Sequence, residues 1–349
     1  MAIEVNLEPN EALPITRVLC WSSEGGNNTY HPIMRIKVRN YRLKVVENAL
    51  ELVGDTPMIK LSFADEEAII YAKVEYLNPS GSVKDRIARH LISEAENRGD
   101  LKPGYTIVEA TSGNTGIAFS CAAAAKGYKM IVVMPETASI ERRAIMKHYN
   151  AEVVLTPARD FIAGAVRKAA EIAEKPKHWA PCQFDNNDNT QAHERTTAQE
   201  ILKQVPGGKV DAFVAGIGTG GTLMGVVNVL RKKNPDLRVY AVDPIGKNVE
   251  GDIEPLKCAE HKVEGIGDGF IPSITDVKVI DEVIQVTDKN AIATARRLAR
   301  EKGLFVGNSS GAYVWCALKA AKKLGKGKVI VTLLPDSADR YYSTDLFKE

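Results

Sequence analysis

NPSGSVKDR, Asn78–Arg86, sets a lysine just after a Gly-Ser turn, at the end of an apparent strand, YAKVEYL (Tyr71–Leu77). Behind it begins a helix-like segment, VKDRIARHLISEAENRG. Most lysines are solvated surface charges. Lys84 is placed differently, at the mouth of a sheet beside Ser80, Gly81 and Ser82. A lysine held partly desolvated near the positive end of a helix has a lowered pKa and more free amine.

Working outward from this stretch, strand-like and helix-like segments alternate. YTIVEAT precedes GIAFSCAAAAKG, KMIVVMP precedes ASIERRAIMKHYN, and AEVVLTP precedes FIAGAVRKAAEIAEK. VDAFVAGIG leads to TLMGVVNVLRKKN, LRVYAVDP follows, and KVIVTLLPD closes the series after two further helical segments. The strands are short, rich in Val and Ile and continuously apolar, as parallel strands buried on both faces are. Repeated βα units predict an α/β fold with right-handed crossovers.

Ligands of open α/β sheets bind at the carboxyl ends of strands. The segments after the strands are NPSGSVKDR, TSGNTG (Thr111–Gly116), GIGTGGT (Gly216–Thr222), GNSSGA after the apolar EKGLFV, and PDSADRYYS (Pro335–Ser343). Small-residue loops that enter helices offer backbone N–H groups and a helix dipole to an anion. In GIGTGGT, Gly218, Thr219, Gly220, Gly221 and Thr222 make the best phosphate cradle, with a plain tight turn as the alternative. Gly216, Gly218 and Gly221 also fit G-x-G-x-x-G, with Asp243 ending the next strand, which is the pattern of an NAD-dependent enzyme. Such an enzyme explains neither Lys84 nor TSGNTG. A free amine beside an anion cradle instead suggests a Schiff base with a phosphorylated aldehyde, pyridoxal 5'-phosphate.

The chain has 349 residues, 44% hydrophobic and 26% charged, with 46 basic and 44 acidic residues giving a net charge of +2. This length accommodates two domains. The mixed, nearly neutral charge gives no case for nucleic acid or an anionic membrane, and no apolar run is long enough to span a bilayer. Its 5 cysteines are odd in number and widely spaced without CxxC, which argues for a reducing compartment and a cytoplasmic location.

NPSGSVKDR, TSGNTGIA, GTGGT, GIGDGFIP, GNSSGA and LPDSADRYYSTDLF, in this order, resemble the cysteine synthase and cystathionine β-synthase family of pyridoxal-phosphate enzymes, fold type II. The match runs from about GDTPMIKL (Gly54–Leu61) to the C-terminus. The resemblance implies two three-layer α/β/α domains with mostly parallel sheets and the cofactor between them. It implies a smaller domain of 46–55 and 78–186, and a larger cofactor-binding one of 56–77 and 187–349. Small-molecule substrates and a homodimer follow from it.

By the same resemblance, Lys84 binds the cofactor aldehyde and takes the substrate α-proton. Gly218, Thr219, Gly220, Gly221 and Thr222 hold the phosphate, Asn114 the ring hydroxyl oxygen, and Ser309 the pyridine nitrogen. Thr111, Ser112, Gly113, Thr115 and Gln183 hold the substrate carboxylate. A hydroxyl does not keep the pyridine nitrogen protonated as a carboxylate does, so the ring is a weaker electron sink. That favours loss of a β-substituent to an aminoacrylate, then attack by sulfide or a thiol. O-acetylserine plus sulfide giving cysteine and acetate is the first expectation. The alternatives are cystathionine β-synthase and a sulfide-releasing enzyme using serine or cysteine; outside this chemistry stand the NAD-dependent reading and a retired enzyme acting as a sensor or binding partner.

DRYYSTDLF and HERTT (His193–Thr197) resemble cysteine synthases, whereas VDP (Val242–Pro244) and VEGIG (Val263–Gly267) resemble cystathionine β-synthases. Asp268 stands where cysteine synthases have a small residue; it is read either as a surface turn residue or as a group that binds a second amino acid's amine or acts on a leaving group. Asn308 is a second departure, beside Ser309. Residues 1–45 read as an extension, partly disordered, in which Cys20 and His31 flank an irregular loop. No metal site is expected; those two residues are a weak haem candidate by likeness to vertebrate cystathionine β-synthases.

Overall fold

The computed structural model describes residues 16–24, 27–36, 45–63, 68–111, 113–245, 256 and 261–348. The chain divides into two compact units, 1–47 and 48–349. The first contains an antiparallel hairpin of β1 (Thr16–Glu24) and β2 (Asn27–Ile36), whose register sets Cys20 opposite His31. This corrects the irregular loop expected around CWSSEGGNNTYH. Gly25-Gly26 between two runs containing Val, Leu, Trp, Thr and Tyr is a hairpin signal in the sequence. The side chains of Cys20 and His31 lie outside the described residues.

The second unit holds two sheets. The six-stranded one has the order β11-β10-β9-β12-β4-β3. Its members are β3 (Met58–Leu61), β4 (Ile69–Val74), β9 (Ala212–Gly216), β10 (Arg238–Ile245), β11 (Glu282–Thr287) and β12 (Val329–Leu334). All neighbours in it run parallel except the edge pair β3 and β4. The other sheet is all parallel, in the order β7-β6-β5-β8. It contains β5 (Thr106–Ala110), β6 (Lys129–Pro135), β7 (Glu152–Thr156) and β8 (His178–Trp179).

The helices are α1 (Lys84–Arg98), α2 (Asn114–Lys126), α3 (Ile140–His148), α4 (Phe161–Ala173), α5 (Asp188–Arg195), α6 (Thr197–Gln204), α7 (Gly221–Lys233), α8 (Asp288–Lys302) and α9 (Asn308–Leu324). Every residue of β5 and β9 is buried, because helices cover both faces of each sheet. Burying each large aliphatic side chain there, such as Ile107 or Val214, contributes about 1.5–3 kcal/mol.

The expected alternation is present, with local differences. The strand read over Tyr71–Leu77 stops at Val74, and Glu75–Leu77 form a 3-10 turn that buries Glu75. EKGLFV is not a strand; only Val306 makes an isolated bridge, to Ser337. β3 and β11 were not legible from pattern, since each lies at a sheet edge and is only partly buried. Among the described residues no helix is long and apolar enough to cross a membrane.

Candidate active site

The loop Asn78–Arg86 is fixed by its own polar residues. Gly81 turns the chain at φ 85°, where a side chain would be strained and would also meet the Arg340 guanidinium. Asp85 accepts from the Ser80 N–H at 2.6 Å and from the Ser80 hydroxyl, closing the turn. Asn78 accepts from Gly54 N–H at 2.9 Å. Arg86 donates to Glu75 and Glu200 at 2.6–2.8 Å, which ties the first turn of α1 to the end of β4 and to α6. Val83 N–H donates to Pro335 O at 2.8 Å, joining the loop to the end of β12. These anchors surround Lys84, the first residue of α1.

Lys84 lines a cavity together with Asn114, Gly218, Thr219, Thr222 and Ser309. It also lines an adjoining cavity with Thr111, Thr115, Gln183 and Asp268. The two meet at the carboxyl ends of the strands, as open α/β sheets predict. A separate crevice between Leu202, Pro235 and Leu324 lies instead by the amino ends of β9, β10 and β12. Lys84 is half-buried and lines both cavities. Burial lowers its pKa, while the carboxylates of Asp268 and Asp336 pull it up. Asp268 is raised by burial and lowered by Lys84 and His261. Asp268 is half-buried and lines the adjoining cavity together with Lys84, so it is not an exposed turn residue.

The cradle is built from backbone. Gly220 has φ 86° and caps α7, and Gly221 opens that helix. A Cβ on Gly218, Gly220 or Gly221 would overlap Gly265 O, Thr275 Oγ1 or Asn189 Oδ1. Thr219 Oγ1 accepts from Asn189 Nδ2 at 2.9 Å, and Thr222 Oγ1 lies 3.1 Å from His193 Nε2. His193 is fully buried, and burial followed by the charge of Arg86 pulls its pKa down to about 3, so it stays neutral. A strongly desolvated amine and a glycine cradle at a helix N-terminus, in one cavity, fit a phosphorylated aldehyde. Gly220→Ala, which combines left-handed strain with the Thr275 overlap, is expected to raise the pyridoxal phosphate concentration for half-saturation about tenfold or more, as read by titrating the apo-protein.

The loop after β5 is preorganised as well. Thr111 Oγ1 accepts from Gly113 N–H at 2.9 Å. Thr115 donates to Gln183 Oε1 at 2.8 Å, and Gln183 Nε2 donates to Ala110 O at 3.0 Å. Ser112 lies outside the described residues. Asn308, at the start of α9, donates to Lys262 O at 3.1 Å and does not line the cavity of Lys84.

Sequence reading missed the buried cluster behind the cavity. Asp336 Oδ2 accepts from Asn114 Nδ2 at 2.7 Å and from the Tyr341 hydroxyl at 2.6 Å. Arg340 Nη1 donates to Asn114 Oδ1 at 2.8 Å, and Nη2 to Ser80 O at 2.9 Å. The available signal was two Asp, an Arg and two Tyr directly after the buried strand in LPDSADRYY. Arg142, also buried, stacks 4.6 Å over the Tyr341 ring and pairs with Glu264, which lines the cavity of Lys84.

A family model described as pyridoxal-phosphate dependent enzyme matches residues 49–336, and the chain belongs to this family. It is similar to a cysteine synthase of Staphylococcus aureus (strain Mu50), 47% identical over 306 residues, covering 87% of this chain and 98% of the relative. Among solved structures it is similar to O-ureido-L-serine synthase, with TM-score 0.81 and 42% identity over 87% of this chain and 96% of that one. It is also similar to an O-acetylserine dependent cystathionine β-synthase from Helicobacter pylori, with TM-score 0.80 and 39% identity over 87% of this chain and 100% of that one. The protein is therefore an α/β enzyme of fold type II, and pyridoxal phosphate is its cofactor. The NAD reading is overturned by the family match, and Asp243 is fully buried and already accepts from Leu256 N–H and Gln285 Nε2.

Proposed function

We propose that the protein catalyses β-replacement on a serine derivative, in the first place O-acetylserine plus sulfide giving cysteine and acetate. The observation that carries this reading is the lowered, half-buried Lys84 amine in one cavity with the cradle of Gly218–Thr222. The bound cofactor supplies an electron sink for the bonds at the substrate α-carbon. Lys84 holds the cofactor aldehyde and, when freed by substrate, takes the α-proton on Nζ. Gly218 to Thr222 hold the phosphate, Asn114 the ring hydroxyl oxygen and Ser309 the ring nitrogen. Thr111, Ser112, Gly113, Thr115 and Gln183 hold the substrate carboxylate, and closure of their loop excludes water. The β-substituent leaves with its bonding pair, the incoming sulfur forms the new bond to Cβ, and Lys84 returns the proton to the α-carbon.

The position of Asp268 favours a second reading, in which the incoming nucleophile is an amino-acid thiol. Its carboxylate, in the adjoining cavity with Lys84, is placed to receive an ammonium group. The same charge repels a dianionic leaving group, so O-phosphoserine fits worse than an uncharged ester. Both readings are tested by product assays of the holoenzyme with O-acetylserine, serine or cysteine, against sulfide or homocysteine. O-acetylserine with sulfide is expected to be fastest, and a preference for serine overturns the first reading. Asp268→Ala is expected to cost about tenfold or more in kcat/KM with homocysteine and less than about threefold with sulfide. Equal effects on both nucleophiles exclude an ammonium-binding role.

Two lobes, of 46–55 with 78–186 and of 56–77 with 187–349, are supported by the division of the strands between the sheets. Homodimerisation is proposed on the resemblance, and a cytoplasmic location on the cysteine pattern.

A further inference from the structure

Asp336 is fully buried, and three side chains from three separate segments converge on its carboxylate. Asn114 comes from the first residue of α2 and Tyr341 from the turn after β12, both on Oδ2 at 2.7 and 2.6 Å. Ser309, near the start of α9, donates to Oδ1 at 3.4 Å. Asn114 and Ser309 both line the cavity of Lys84. Arg340, itself buried, grips the opposite end of the Asn114 amide at Oδ1.

The geometry has a directional consequence. With Oδ1 receiving from Arg340 and one Nδ2 hydrogen given to Asp336, the Asn114 amide cannot flip without facing carboxylate with oxygen. Its second Nδ2 hydrogen is the one left for a ligand. The Ser309 hydroxyl lies 3.4 Å from Asp336 Oδ1, so the carboxylate holds that side chain at the cavity wall while its proton can turn toward a ligand. We propose that Asp336 is a positioning residue for the cofactor: it fixes the amide orientation of Asn114 and holds the Ser309 side chain at the cavity wall. The inference rests on the reading above that Asn114 and Ser309 face the ring. A charged group in that place acts on its neighbours more strongly than a neutral one, because the surroundings are apolar and water-excluded.

Asp336→Asn keeps the size of the side chain and removes the charge. An amide nitrogen then faces Ser309 or Asn114 where only acceptors stood. Apo-protein of this variant is expected to bind pyridoxal phosphate about tenfold or more weakly, with a shifted absorbance maximum of the bound cofactor. In the double variant with Asn114→Ala, the second change is expected to add less than about threefold, because residues acting through one another are not additive. If Asn114→Ala and Ser309→Ala each leave cofactor affinity and absorbance unchanged, the reading of those two residues fails. If they weaken binding while Asp336→Asn matches the wild type, or if the Asp336 and Asn114 effects multiply in full, the positioning role is overturned. Should Asp336→Asn yield no folded protein, Tyr341→Phe loosens the same carboxylate without changing its charge. It is expected to weaken binding about threefold, an effect lost in the Asn114→Ala background, and wild-type affinity there overturns the proposal.

Discussion

Lys84→Ala is expected to lower kcat for β-replacement about 10³-fold or more while leaving the fold intact, because general-base catalysis alone is worth about 10²–10⁴-fold and the same amine also holds the cofactor. The structure supports retention of the fold. Lys84 is the first residue of α1, and its side chain faces a cavity rather than a packed core. The anchors of the loop are Asn78, Asp85 and Arg86, none of which is altered. The variant should lose bound cofactor on gel filtration that the wild type survives. Borohydride reduction of the wild type, followed by peptide mass measurement, should then place the pyridoxyl group on Lys84. The informative competitor is Lys73, fully buried, whose pKa is also lowered by burial. It is engaged by Glu200 at 2.6 Å and by Thr56. A label on Lys73, or a Lys84→Ala variant with near-normal turnover, would end the assignment.

Arg86→Ala is expected to be the most destabilising single change near the site, by about 3–5 kcal/mol, since removing one partner of a buried ion pair strands the other charge. Arg86 is 2% exposed and sits between Glu75, 0% exposed, and Glu200. Burial pushes the Glu75 carboxyl up, but the charge and hydrogen bonds of Arg86, helped by Lys73 and Thr56, bring it down to about 2. A carboxyl depressed from about 4.5 to about 2 contributes stability that is fully present above its unfolded pKa. That contribution is lost as pH falls from about 4.5 toward about 2. In Arg86→Ala, burial outweighs what remains of the attraction, so the acid transition should move to higher pH. Urea unfolding at pH 7 and an acid titration followed by circular dichroism read both effects. Arg86→Lys should recover only part of the loss, because an ammonium cannot span two carboxylates with a planar fork. A loss below about 1 kcal/mol for Arg86→Ala would mean that this network does not fix the start of α1.

These two residues lie two positions apart, and the sequence speaks differently about them. Lys84 was legible because its chemistry is local: a lysine at a strand end, in a glycine and serine loop, opening a helix. The cradle was legible for the same reason, as Gly218 to Thr222 are contiguous and their backbone does the work. The alternation of apolar strands and helices likewise fixed the α/β class, since burial on both faces writes itself into composition along each strand.

Asp336 was not legible, because its partners Asn114, Ser309 and Tyr341 are scattered along the chain and only the crossing of the two sheets' loops brings them together. Arg86 was quoted in the opening stretch without a role, since Glu200 lies 114 residues away. Asp268 was ambiguous between a surface turn and a site residue until the fold folded its loop over Lys84. The alternative that Asp243 is a ribose-binding acid fitted its position after the glycine loop, but the fold buries it and engages it with Leu256 and Gln285. By itself, then, the sequence determined the fold class and singled out Lys84 and the glycine loop Gly218–Thr222, which the structure brings into one cavity, all carried by short segments whose physics is local. Only the tertiary structure decided which charges are buried against one another and which carboxylate faces the lysine, because those energies depend on distance in space and on the water that folding removes.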